Sequence, residues 1–311
     1  MSTGRRVVAA GYGGPENLRT DEFPVRGVAP GEVHVAVRAA GVNAYDAKVY
    51  AGPGDPAALP IPLGFEASGV VAAVGSDVTG WSEGDEVIAF RARGAYTTDL
   101  VVDAHTLTAK PPSLGWPDSA GLMLTGAAAW HTLVATSVAA GDTVLVHGAT
   151  GGVGLMAVQL ARLRGARVIG TTNPRNDDLL RDLGAEPVAY GDGLLDRVRT
   201  LAPDGVDAAL DLVGTDEAMD VSLALVTDRS RIATIANFDR GPHEGVRLLG
   251  NGPGADPGTE IRDAARAELA RLAGEGQLRV LVAATYPLAD AADAHRQIRT
   301  GHTTGKLVLL T

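Results

Sequence analysis

The apolar positions change rhythm along this chain. Up to about residue 120 they fall in short or alternating runs, at 5–9, 32–39, 69–74, 86–90 and 95–102. Turn formers separate these runs: Ala29-Pro30-Gly31, Gly52-Pro53-Gly54-Asp55-Pro56, Gly75-Ser76-Asp77 and Glu83-Gly84-Asp85. Alternation with a period of two places one face of each run on a core, so many short strands are predicted, in a small barrel or partly rolled sheet. Pro111-Pro112 and Trp116-Pro117 then mark a change. An alanine-rich helix is predicted over 119–135, with Asp118 as its cap. Strands at 144–146, 168–169, 187–190, 206–213 and 231–235 follow, alternating with helices at 155–163, 175–183, 194–201 and 216–225. Gly165 and Gly184 stop the first two of these helices. Such alternation implies a parallel, doubly wound sheet. Residues 241–258 read as loop with one apolar run at 246–249, and a helix is expected over 260–272. The end, with apolar runs 280–284 and 306–310 around a helix at 289–299, is mixed β again. The simplest topology returns it to the first domain.

The stretch 142–173 carries the chemistry. A strand leads into Gly148-Ala149-Thr150-Gly151-Gly152-Val153-Gly154, and a helical stripe of Leu155, Val158, Leu160, Ala161 and Leu163 follows. Small residues there allow a sharp turn and a close backbone approach to a pyrophosphate, which the free N–H groups and positive end of the helix attract. The match to G-x-G-x-x-G is incomplete, because residue 149 is alanine. The residue that selects the nucleotide lies at the end of the next strand. An acid there would bind the ribose 2′-hydroxyl of NAD. Here the chain reads Thr171-Thr172-Asn173-Pro174-Arg175. Hydroxyls can donate to a 2′-phosphate and Arg175 can pair with it bidentately, so NADPH is expected over NADH. The plainer alternative has Asn173 capping the next helix and Arg175 solvated.

Composition narrows the class. A chain of 311 residues with 45% hydrophobic residues can bury two cores. A formal net charge of −10 with no basic run points away from nucleic acid and anionic membranes. No long apolar segment or leader pattern occurs, so a cytoplasmic location is expected. The absence of cysteine excludes disulfides, thiol catalysis and cysteine-ligated zinc. The seven histidines show no metal-ligand spacing, and no Gly-x-Ser-x-Gly elbow is present.

Several pieces, in order, carry a resemblance. They are Ala40-Gly41-Val42-Asn43-Ala44-Tyr45-Asp46, Pro62-Leu63-Gly64-Phe65-Glu66-Ala67-Ser68-Gly69, Gly84-Asp85-Glu86-Val87, Gly126-Ala127-Ala128-Ala129-Trp130, the cluster from His147 to Gly154, and Gly305-Lys306-Leu307-Val308-Leu309. Together they span nearly the whole chain. The sequence resembles the medium-chain dehydrogenase/reductase superfamily, in its zinc-free quinone oxidoreductase branch that includes zeta-crystallin. The resemblance implies an α/β protein: a GroES-like β-rich catalytic domain at 1–120, a Rossmann NADP-binding domain with a doubly wound parallel sheet at 121–255, and a return segment at 256–311 that completes the first. It also implies a site in the cleft between domains, and a homodimer or homotetramer. Zinc-dependent relatives place cysteine where Asn43 stands and histidine where Phe65 stands. Without that Lewis acid, the acceptor must already be electrophilic. A quinone or α,β-unsaturated carbonyl is therefore the expected substrate, and no metal is expected.

By the same resemblance, Asn43 either bonds the substrate oxygen or cofactor or stabilises the turn after its strand. Tyr45 is either a hydroxyl that orients or protonates the substrate oxygen or a half-buried packing residue. Asp46 is read as a brace for its loop, and Glu66 as bonded to an N–H or an arginine within its own domain. Thr125 would touch the nicotinamide side. Ala149, Thr150, Gly151, Gly152 and Val153 form the phosphate turn, with the N–H groups of Thr150, Gly152 and Val153 on the pyrophosphate. Tyr190 lies along the adenosine side or is a surface tyrosine. Val213 and Gly214 end the fourth strand of the sheet, and Ile235, Ala236 and Asn237 end the fifth and flank the nicotinamide. Two further functions stay open: an enoyl-thioester or biosynthetic enone reductase, and a non-catalytic NADPH-binding regulatory protein. For a carrier-bound acyl substrate, Arg91 and Arg93 are the only close basic pair near the expected site.

Overall fold

The computed structural model describes residues 2–311. Two compact units divide it: the chain up to Leu124 together with Arg266–Thr311, and Thr125–Ala265.

The first unit opens with β1 (Thr3–Ala9), β2 (Leu18–Pro24), β3 (Glu32–Val42), α1 (Ala44–Lys48), β4 (Ile61–Pro62), β5 (Glu66–Val74), β6 (Glu86–Phe90), β7 (Asp99–Asp103) and β8 (Leu107–Ala109). β1 pairs with β2 and β4 in a small antiparallel sheet. β3 is the axis of the larger sheet. It runs antiparallel to β5 along one side, and its other side is shared by β7 at 32–36 and a C-terminal strand at 39–42. Its alternating residues Val33, Val35 and Val37 are buried in the main core with Val71, Val87, Ala89 and Leu100. Two short helices, α2 (Trp116–Ala120) and the longer α3 (Met123–Ala135), replace the single helix expected over 119–135. The chain breaks at Gly121, against whose backbone the Lys306 stem and Val280 pack so closely that a Cβ would meet them at 3.1–3.3 Å. β2 escaped the sequence pattern because both its faces are largely polar, LRTDEFP, with no buried residue.

The second unit alternates: β9 (Thr143–His147), α4 (Gly152–Leu163), β10 (Arg167–Thr172), α5 (Asp177–Asp182), β11 (Glu186–Ala189), α6 (Leu194–Leu201), β12 (Ala208–Asp211), α7 (Asp216–Leu225), β13 (Ile232–Thr234), α8 (Gly241–Glu244) and β14 (Arg247–Leu248), and α9 (Thr259–Gly274) runs on from it into the first unit at Arg266. All its strand pairs are parallel, in the order β11-β10-β9-β12-β13-β14. The chain winds from β9 through β10 to β11 on one side, then crosses to β12 on the other. The order thus reverses between β9 and β12, and ligands of such sheets bind outside the carboxyl ends of the strands at that point. Buried on both faces, the central strands are nearly continuous apolar runs, TVLVH and AALD. The chain then returns to the first unit with β15 (Val282–Pro287), α10 (Ala291–Arg299) and β16 (Lys306–Leu310), and β16 joins β3.

Candidate active-site and cofactor-binding residues

At the switch point β9 ends in buried His147, and Gly148 turns the chain with φ +72°. A Cβ on Gly154 would lie 2.2 Å from the Gly148 carbonyl oxygen, so α4 can start this close to the turn only with glycine there. Ala149 is wholly buried, and its methyl fills the space above Gly170, where a Cβ would sit 2.7 Å from it. The missing fingerprint glycine is thus offset by a glycine on the neighbouring strand. The Ala149 N–H is spent on the Thr171 carbonyl at 3.1 Å, and that of Gly151 on Gly148 at 3.1 Å. α4 begins at Gly152 with Gly151 as its N-cap, without a side-chain cap. The N–H groups of Gly152, Val153 and Gly154 therefore belong to the first turn, which has no intrahelical acceptors. Thr150, Gly151, Gly152 and Val153 are only partly buried. The local geometry fits a dinucleotide pyrophosphate.

β10 ends in Thr171 and Thr172, which are 3% and 2% exposed. The Thr171 hydroxyl oxygen accepts the Gly148 N–H at 3.0 Å, and the Thr172 hydroxyl lies 3.3 Å from that of Thr150. Both hydroxyls brace the glycine turn from below. Asn173 caps the following turn by accepting the Arg175 N–H at 3.1 Å, and the Arg175 side chain is exposed. Tyr190 and Val213, just beyond β11 and β12, are exposed at 52% and 50%. Ile235, Ala236 and Asn237 leave β13 partly buried, and Asn237 also caps the next turn through the Arg240 N–H at 3.2 Å. Thr125 is buried near the start of α3. His147 donates from Nε2 to Ser222 Oγ at 3.2 Å, since that hydroxyl is itself spent on the Ala218 carbonyl at 2.7 Å. Burial lowers the His147 pKa to about 4, so the ring is neutral at neutral pH.

The first unit holds a buried polar chain that sequence reading found only in pieces. Asn43 caps α1, and its N–H donates to Asp46 Oδ2 at 2.8 Å. Its amide donates to Glu66 Oε1 at 3.0 Å and accepts from the Lys306 ammonium. Lys306 also donates to Glu66 Oε1 at 2.9 Å, and Glu66 Oε2 accepts the Leu124 N–H at 2.8 Å. Gly41 lets this happen, because a Cβ there would lie 2.5 Å from the Glu66 carboxylate and 2.3 Å from the Ala120 carbonyl. Glu66 thus has the N–H partner expected of it, with a lysine rather than an arginine as its cation. The Asn43 amide is held at both ends. Asp46 continues the chain by accepting from the Tyr96 hydroxyl at 3.0 Å; Tyr96 lies 3.1 Å from His295 Nε2, and Tyr50 lies 2.8 Å from His295 Nδ1. Burial lifts the Asp46 pKa to about 7, and Asp46 Oδ1 has no hydrogen-bond partner among the described residues. Tyr45, next to this chain, is half-buried with its ring edge-on to Phe65 at 4.8 Å, and no hydrogen bond to its hydroxyl is made among the described residues. Lys306 and the carboxylates of Asp46 and Glu66 lie together although Lys306 is 240 positions from Glu66. Only the Gly305-Lys306 piece of the C-terminal motif could have signalled it.

A doubly wound sheet with such a turn at its switch point, inserted in the chain between the two segments of a mixed β unit, defines a dinucleotide-binding protein of two units. Comparison with known proteins bears on which kind. Residues 29–138 match the alcohol dehydrogenase GroES-like domain model, and residues 183–309 match the model described as zinc-binding dehydrogenase. The quinone oxidoreductase of Pseudomonas aeruginosa is 34% identical over 98% of this chain and 99% of its own. NorB, a spectinabilin polyketide synthase system protein of Streptomyces orinoci, is 36% identical over 98% of this chain, which spans only 14% of its length. Among solved structures, a NAD-dependent alcohol dehydrogenase superposes with a TM-score of 0.87 at 30% identity, covering 99% of each chain. The Escherichia coli quinone oxidoreductase complexed with NADPH gives 0.86 at 28% identity, over 99% of this chain and 100% of that one. The chain belongs to the medium-chain dehydrogenase/reductase superfamily, among its quinone oxidoreductases. No helix among the described residues is long and apolar enough to cross a membrane.

Proposed function

We propose that this chain is a zinc-independent, NADPH-dependent oxidoreductase that reduces a quinone or an α,β-unsaturated carbonyl. The observation that carries the cofactor preference is the end of β10. No carboxylate stands between Thr171 and Arg175, where a ribose 2′-hydroxyl would require one. With Thr171 and Thr172 turned inward, discrimination falls to Asn173 and to the exposed guanidinium of Arg175, which suits a 2′-phosphate. The NADPH-bound relative supports the same assignment. The match to a zinc-binding dehydrogenase model does not bring the ligands with it. Asn43 and Phe65 stand at two of the family's ligand positions, and no group of three or more His, Cys, Asp or Glu among the described residues could hold a metal ion. Lys306 instead supplies the positive charge between Asn43 and Glu66.

NADPH, when bound, supplies a hydride to an acceptor that is already conjugated. The chain's share is to hold the pyrophosphate with the N–H groups of Thr150, Gly152 and Val153, and to orient or protonate the acceptor oxygen through the Tyr45 hydroxyl. Asn43 keeps Tyr45 in place by capping α1. An enoyl thioester is a second candidate acceptor, supported by the likeness to NorB of a polyketide synthase system. The test is cofactor oxidation followed by absorbance with quinones, enones, enoyl thioesters and aldehydes, using NADPH and NADH in parallel and a chelator control. Chelator-insensitive turnover of quinones or enones with NADPH is expected. Arg175→Ala should lower the NADPH preference by roughly tenfold or more, the scale of one lost charge-assisted hydrogen bond. Tighter NADH binding by the native chain would overturn the assignment. NADPH binding without turnover of any acceptor would move the reading to a binding protein.

A further inference from the structure

The segments beyond β12 and β13 owe their shape to one buried pair. Asp211 is wholly buried at the end of β12, and Thr234 is wholly buried opposite it at the end of β13. Asp211 Oδ1 accepts the N–H groups of Val213 at 3.1 Å and Gly214 at 2.7 Å. Asp211 Oδ2 accepts the Thr234 hydroxyl at 2.8 Å. The Thr234 oxygen in turn accepts the N–H groups of Ala236 at 3.1 Å and Asn237 at 2.9 Å. One carboxylate and one hydroxyl therefore bind four backbone donors from two separate loops. The loops also touch, since a Cβ on Gly214 would lie 2.8 Å from that of Ala236. A buried carboxylate is costly unless its oxygens are hydrogen-bonded, and here both are.

We propose that Asp211 and Thr234 are positioning residues that lock the loops 212–214 and 235–237 into one cradle for the nicotinamide end of the cofactor. The proposal rests on the NADPH reading above. It concerns a link that requires a carboxylate. The Thr234 oxygen already takes two N–H groups, so its own proton must go to an acceptor. An asparagine at 211 would turn its NH2 either toward that saturated oxygen or toward the N–H groups of Val213 and Gly214. Asp211→Asn therefore breaks one side of the link with almost no change in shape; Thr234→Val removes the bond to Asp211 and frees the N–H groups of Ala236 and Asn237 while Asp211 keeps those of Val213 and Gly214; and Thr234→Ser keeps every bond.

The test compares two ligands by calorimetry: NADPH, and 2′-phospho-ADP-ribose, which is the cofactor without its nicotinamide. Thr234→Val and Asp211→Asn should weaken NADPH by roughly tenfold or more, the scale of one to two lost hydrogen bonds. Neither should change affinity for the truncated ligand, and Thr234→Ser should match the native chain for both. Equal weakening of both ligands, or unchanged NADPH affinity in a folded variant, overturns the proposal and leaves the cofactor reading standing. If the native chain binds neither ligand, the cofactor reading fails and this proposal with it. Thr234→Val is uncharged and near in volume, so the question remains answerable if Asp211→Asn does not fold.

Discussion

The two units assemble polar groups in opposite ways. In the second, the glycine turn is backbone: the first-turn N–H groups of α4 lack intrahelical acceptors, while the side chains of Thr171 and Thr172 brace from beneath. In the first, side chains from β5, the start of α1, the loop before β7, α10 and β16, with the Asn43 N–H, form a chain of hydrogen bonds from Lys306 through Glu66, Asn43, Asp46 and Tyr96 to His295. A site made of unspent backbone is built to receive something. A network whose groups mostly spend themselves on each other is built to hold a shape. A fault in the first kind should show in ligand affinity, and a fault in the second in stability.

Removing the cation should have the largest effect. Lys306→Met fits the stem's volume but leaves the wholly buried Glu66 carboxylate and the Asn43 carbonyl without their shared donor. Breaking a buried pair in this way costs about 3–5 kcal/mol, which denaturant unfolding would measure. NADPH affinity of the protein that remains folded should stay within about twofold of the native chain, well under the tenfold that one lost hydrogen bond can bring. A folded variant with a large affinity loss and native stability would reverse the contrast.

Gly154→Ala tests the other half. Its methyl would lie 2.2 Å from the Gly148 carbonyl oxygen, so α4 must back away from the turn. Overpacking of this kind costs about 2 kcal/mol. The sharper signature should be in binding: NADPH affinity falls by roughly tenfold or more, because every first-turn N–H moves together. Native affinity in this variant would mean that the turn does not hold the phosphates.

The same contrast explains what could be read from the sequence. Backbone sites need small residues in an unbroken stretch, so 148–154 announced itself, as did the alternation that makes the doubly wound sheet. Even there the role of Ala149 was hidden, because Gly170 on the next strand makes room for it. The hydroxyls of Thr171 and Thr172 read as phosphate ligands, yet both are buried at the end of a central strand, where Thr171 bonds the turn and Thr172 bonds Thr150 and the Asn173 carbonyl. Side-chain networks are assembled by topology. Nothing near Glu66 names Lys306, and nothing near Asp46 names His295. Asp211 did leave a trace: an acid inside the apolar run 206–213 must find donors, and that mismatch was the available clue.

The smallest effect is on the pH dependence of stability, and its sign distinguishes the buried groups. His147 and His295 have pKa values lowered to about 4 by burial, against an ordinary value of 6.5. Between those values the unfolded chain binds their protons and the folded one does not, so stability falls as pH drops from 6.5. Asp46 works the other way. Burial raises its pKa from 3.8 to about 7, so its contribution is fully present below the lower value and is lost as pH rises through the upper one. From pH 6.5 down to about 5, Asp46 therefore cancels one of the two histidine protons. His131, lowered in the same direction as the other histidines, adds to the acid loss. In Asp46→Asn the amide oxygen can still accept from the Asn43 N–H and the Tyr96 hydroxyl, but nothing titrates. The acid loss should steepen by one proton, about 1.4 kcal/mol per pH unit, and the decline of the native chain just above pH 6.5 should vanish. Denaturant midpoints taken across this range read both. If the two curves run parallel, Asp46 is ionised in the folded chain throughout, and the network carries one uncompensated negative charge beside Glu66 and Lys306.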